Sequence, residues 1–72
     1  MSDFEIRSYT KKDLALSYFP SAAPHTAVNR LMLWIYRCQP LAAALAMQGY
    51  RKTSKWFTAR EVRLIVEYLG GP

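Results

Sequence analysis

Residues 13–38 read DLALSYFPSAAPHTAVNRLMLWIYRC, and the fold turns on whether this stretch is one interrupted helix or two helices joined by a turn. Its two prolines favour the turn. Pro20 removes a backbone donor and cannot continue a helix that carries Leu14, Ala15 and Tyr18 on one face, so that helix stops before it. The residues before Pro20 and Pro24 are pushed toward extended geometry, and FPSAAPH at 19–25 reads as a connection. Past it, Val28, Leu31, Ile35 and Cys38 fall on one stripe with Met32 beside it, predicting a second helix over about residues 27–38 capped by Ser21 or Thr26. Asn29, Arg30, Leu33 and Arg37 are left on the other side, and Trp34 and Tyr36 flank the stripe.

Upstream, Thr10 followed three residues later by Asp13 resembles a capping box and starts the first helix at about Lys11, to run to Tyr18. Before it, Phe4 and Ile6 alternate with Glu5 and Arg7, the pattern of a short strand or extended arm. Downstream, Pro40 suits the first turn of a third helix and Gly49 its left-handed end. That helix is LAAALAMQ at 41–48. Leu41, Ala44, Leu45 and Met47 can face the core, while Ala42, Ala43 and Ala46 leave a smooth uncharged surface. YRKTSKWF at 50–57 is too short and unpatterned for a helix and reads as a hairpin-like loop or wing. Thr58 and Glu61 form a second capping box, and Val62, Ile65, Val66 and Leu69 share one face of a last helix that Gly70 ends.

The fold class expected is therefore mainly α: a small three- to four-helix bundle, helix-turn-helix-like with a lengthened turn, in which FEIRSY at 4–9 pairs beside SKWFT at 54–58 as a short two-stranded ribbon. All 72 residues make one domain. A content of 51% hydrophobic and 14% aromatic residues is too apolar for a disordered chain. The core is expected to hold Leu14, Tyr18, Leu31, Ile35, Leu45, Trp56, Val62, Ile65 and Leu69.

The formal net charge of +5 is unevenly placed. Arg7, Lys11 and Lys12 balance Asp3, Glu5 and Asp13, so the whole excess falls after residue 29, on Arg30, Arg37, Arg51, Lys52, Lys55, Arg60 and Arg63 against Glu61 and Glu67. Such asymmetry argues for an anionic partner. In a helix-turn-helix the second helix meets base edges with its N-terminal residues, across a turn of about 3 to 4 residues that often holds a glycine. FPSAAPH is longer and has no glycine. Asn29, Arg30, Arg37, Arg51, Lys52, Lys55 and Arg60 are the candidate DNA-binding residues, and double-stranded DNA is the expected partner. The competing class is a protein-interaction module, self-associating or binding another protein through the uncharged third helix or the exposed Leu33 and Tyr36.

Catalysis is not expected. His25 and Cys38 are the only His and Cys, and no pair of acids sits at a converging spacing, so neither a nucleophile with its base nor a metal ligand set can be assembled. No cofactor, metal or small-molecule substrate is implied. The opening MSDFEIRSYTKKD has no apolar core of a signal peptide, and the uncharged run at residues 38–50 falls short of the roughly 18 residues of a membrane span. With a lone Cys38 that cannot form an internal disulfide, a reducing cytoplasmic setting is expected.

The blocks RSYTKKDLALSYFP at 7–20, LMLWI at 31–35, GYRK at 49–52, WFTAREVRLIVEYLG at 56–70 and the terminal GP resemble a family of short uncharacterised Bacteroidales proteins, classed as a domain of unknown function. The likeness runs over nearly the whole chain. It implies a bacterial setting and supplies no activity, ligand or catalytic residue, so the site residues above stand on their own chemistry.

Overall fold

A computed structural model describes residues 4–72; Met1–Asp3, and with them the Asp3 of the charge balance, lie outside the described residues. The order is β1 (Tyr9–Thr10), α1 (Lys11–Tyr18), α2 (Pro24–Arg37), α3 (Gln39–Met47), β2 (Trp56–Phe57) and α4 (Ala59–Leu69). The expected mainly α bundle with a two-stranded ribbon is what forms. α1 packs along α2, α2 against α3 and α4, and α3 against α4. The radius of gyration is 11.1 Å, and a well-packed chain of this length should have about 11 Å.

Capping residues set two of the four helix starts. The Thr10 hydroxyl accepts from the Asp13 N–H at 3.0 Å, and the Thr58 hydroxyl accepts from the Glu61 N–H at 3.2 Å. Only the second pair is reciprocal, with the Thr58 N–H donating to Glu61 Oε1 at 2.8 Å. That bond occupies a carboxylate that is otherwise buried. α2 begins earlier than its stripe suggests. Pro24 is its first residue and Ala23 its cap, with no side-chain capping bond from Ser21 or Thr26. The physical reason is that the first helical N–H has no partner to lose, so proline opens a helix as readily as it ends one. The connection shrinks to five residues, Phe19–Ala23, and Ala27, four and eight residues before Leu31 and Ile35, lies in the core where Val28 was expected, Val28 being half-buried.

The core is built from one stripe per helix: Leu14 and Ala15, then Ala27, Leu31 and Ile35, then Leu41 and Leu45, then Val62 and Ile65. Tyr18 and Leu69, expected inside, are half-buried around it. Met47 is 88% exposed; it lies two residues past Leu45, which on a helix of 3.6 residues per turn is the opposite face.

The ribbon corrects a second expectation. β1 and β2 are antiparallel with Tyr9 opposite Phe57 and Thr10 opposite Trp56. Cross-strand partners share a face and neighbours along a strand alternate. With Tyr9 turned inward, Phe57 follows it and is fully buried, while Trp56 is sent to the surface at 59% exposure. Phe57 is the residue that anchors α4 to the core, and Trp56 is not.

Candidate nucleic-acid interface

The loop from Gly49 to Lys55 has no helix or strand of its own, yet it is held at several points. Gly49 turns the chain out of α3 with φ +87°, a left-handed conformation in which L residues are strained. Tyr50 stacks on Phe57 with ring centroids 5.3 Å apart and donates its hydroxyl to Met32 Sδ at 3.7 Å. The Ser54 N–H closes a turn on the Arg51 carbonyl at 3.0 Å, and the Lys11 N–H donates to the Lys55 carbonyl at 2.9 Å. Lys11 Nζ reaches back to the Lys52 carbonyl at 2.8 Å, and the Lys52 ammonium sits 5.2 Å above the Tyr36 ring.

These ties place the loop across the start of α1. Between them runs an open groove of about 520 Å³ lined by Lys11, Lys12, Lys52 and Lys55 together with Val28 and Trp56. Among the described residues no Asp or Glu lines it. Lys12 and Val28 also border a neighbouring groove of about 390 Å³ that reaches His25 and Asn29 on α2. The two form one strip from the loop to the face of α2.

Lys11 is the least free of the four. Burial lowers its pKa, and the Glu61 carboxylate pulls in the other direction less strongly. Its ammonium is committed to the Lys52 carbonyl and lies 5.1 Å from the Tyr50 ring. It positions the loop, and the exposed Lys12, Lys52 and Lys55 offer their charges to solvent.

The sequence-derived candidates divide between several places. Lys52, Lys55 and Asn29 belong to the strip just described. Arg30 lines a separate groove with Phe19, Pro20 and Thr26. Arg37, seven residues on, shares that flank of α2, about a quarter of a turn round from Asn29 and Tyr36. Arg60 lines another groove with Ile6, Arg63 and Glu67. Arg51 is exposed at the start of the loop. Arg30 and Arg60 thus border grooves other than the one that Lys52 and Lys55 line.

Lys11 and Lys12 are what the charge count hid, since Asp3, Glu5 and Asp13 cancel them formally. A local signal was present. With Thr10 as cap they are the first two residues of α1, where the helix dipole is positive and acids are preferred over lysines. Two cations there oppose the local rule, and such conflicts mark sites whose charge serves something other than the helix.

Among the described residues no three His, Cys, Asp or Glu side chains come together to hold a metal ion. No helix there is long and apolar enough to cross a membrane. No curated protein and no solved structure matches the chain. Residues 5–72, which hold the ribbon, all four helices and every lysine of the groove, match the family model described as domain of unknown function DUF4248, and the chain belongs to that family.

Proposed function

We propose that this protein is a DNA-binding module, helix-turn-helix-like in its first two helices, that holds the phosphate backbone in the groove between α1 and the 49–55 loop. One observation carries the reading: lysines far apart in sequence are brought to line one groove, which no carboxylate lines among the described residues. Like charges gathered this way repel one another, and an anion relieves the repulsion. Lys12, Lys52 and Lys55 supply the charge, with Ser54 and Thr53 beside them as neutral donors of the kind that assist phosphate contacts. Asn29, at the far end of the strip, is the α2 residue placed to meet a base edge. A titration of labelled DNA at several salt concentrations tests this. With three phosphate contacts log affinity should fall against log salt with a slope of about −3, and Lys52→Ala with Lys55→Ala should flatten it by about 2. Absence of binding at low salt would overturn the proposal.

A second reading has its own observation. On α3, Ala43, Ala46 and the 88% exposed Met47 form an uncharged outer face, and Leu33 on α2 is 49% exposed. An interaction module or self-associating protein would use such surfaces. A sedimentation experiment showing a concentration-dependent dimer that Met47→Lys abolishes would favour it.

A further inference from the structure

Trp56 is the feature of the groove that phosphate binding leaves unused. Its neighbour Phe57 is fully buried, so the strand turns the indole outward at 59% exposure, where it lines the lysine groove. An exposed indole there contributes little to the core and adds apolar surface to a cationic site. Backbone phosphates of an intact duplex have no use for it, because the faces of paired bases are covered by their neighbours in the stack. Single strands present both partners at once, a phosphate chain for the cations and bare base faces for an aromatic ring.

We infer that the groove takes single-stranded nucleic acid, with one unpaired base stacked on Trp56 and the adjoining phosphates on Lys12, Lys52 and Lys55. The inference rests on the nucleic-acid reading above and narrows it to a strand whose bases are exposed. The dimensions agree. A groove of about 520 Å³ falls within the roughly 300–1,000 Å³ typical of ligand sites. Its walls are fixed by the hydrogen bond from Lys11 Nζ to the Lys52 carbonyl and by the pairing of Trp56 with Thr10 across the ribbon. Stacking tolerates any base, so the preference expected is for strandedness rather than for sequence.

The experiment measures fluorescence anisotropy of labelled oligodeoxythymidine, oligouridine and a mixed-sequence duplex of equal length, with the whole chain and three variants. The wild type should hold a single strand more tightly than the duplex, and the ratio of the deoxy and ribo arms says which sugar is preferred. Trp56→Ala should weaken single-strand binding by roughly 5- to 150-fold, the range for losing one stacked base, and change duplex binding little. Trp56→Phe keeps a ring and should restore most of the affinity. Trp56→Lys adds charge without a ring. It should bind single strands worse than the wild type, whereas a groove working by charge alone would bind them better. Equal affinity for single strand and duplex, unmoved by Trp56→Ala, would overturn the stacking inference and leave the phosphate reading standing. Loss of all binding in the wild type would remove both. Trp56 is mostly exposed, so each variant should fold, and an unchanged thermal melt verifies this before affinities are compared.

Discussion

Phe57 and Trp56 are adjacent aromatics with opposite consequences for stability. Phe57 is enclosed, stacked on Tyr50 and opposite the buried Tyr9, so Phe57→Ala should cost about 3–5 kcal/mol. A domain of this length holds only some 4–11 kcal/mol in total, and chemical denaturation should show the midpoint falling steeply or the fold lost. Trp56→Ala should lower the unfolding free energy by no more than about 0.5 kcal/mol and barely shift that midpoint, as for surface substitutions that leave no cavity. If the two variants proved equally destabilising, the register of the ribbon would be wrong. Ile65→Ala, at the centre of the α4 stripe, belongs with Phe57 and should cost about 2–5 kcal/mol. An unchanged melting temperature would place Ile65 on the surface.

Among the elements, the two threonine caps offer a matched comparison. Thr10 receives one hydrogen bond and its first turn carries Lys11 and Lys12 against the helix dipole, whereas Thr58 sits in a reciprocal pair with a buried Glu61. Loss of an N-cap costs about 0.5–2 kcal/mol. Thr58→Ala is expected near the top of that range, because the partner carboxylate stays buried with its capping geometry disturbed. Thr10→Ala is expected near the bottom. Hydrogen exchange at the first-turn amides locates each effect: protection should fall at the start of α4 in one variant and at the start of α1 in the other. Global loss of protection in Thr10→Ala would mean that α1 contributes more than its own first turn.

For the whole molecule, alkaline pH is the condition that reaches several parts of the fold together. Burial pushes the Tyr18 phenol up to about 12 from an ordinary 10.0, and its hydroxyl donates to the Gly70 carbonyl at 2.5 Å, linking the end of α1 to the end of α4. The Tyr50 phenol is also raised, by burial first and then by Tyr36 and the Glu61 carboxylate. Both groups stay protonated in the fold at a pH where the unfolded chain ionises. Their contribution is complete below pH 10 and is lost as pH rises from there toward 12. Lys11 works in the other direction: its pKa is lowered from 10.5, so through the window just below that value the unfolded chain holds more protons and stability rises. Melting temperature should therefore hold or rise slightly up to about pH 10 and fall beyond it. Tyr18→Phe and Tyr50→Phe together should blunt the fall. A melting curve that falls equally in that double variant would assign the alkaline limb to other groups.

What the sequence determined by itself is what depends on neighbours along the chain. Helix phases follow from stripes such as Leu31 and Ile35 or Val62 and Ile65, caps from Thr10 and Thr58, and helix ends from Pro20, Gly49 and Gly70, because these effects act over one or two turns. The start of α2 was less legible, since a proline is compatible both with a loop and with the first position of a helix, and only the docking of Ala27 against the core selects between them. Tertiary structure alone decided the rest. Which of Trp56 and Phe57 faces inward depends on their pairing with Tyr9 and Thr10, some 47 residues away in the chain, and a shift of one residue would exchange them. The lysine groove has the same origin. A formal sum cancels Lys11 and Lys12 against nearby acids, but charge acts through space, and folding brings those lysines to Lys52 and Lys55 while Arg30 and Arg60 border other grooves.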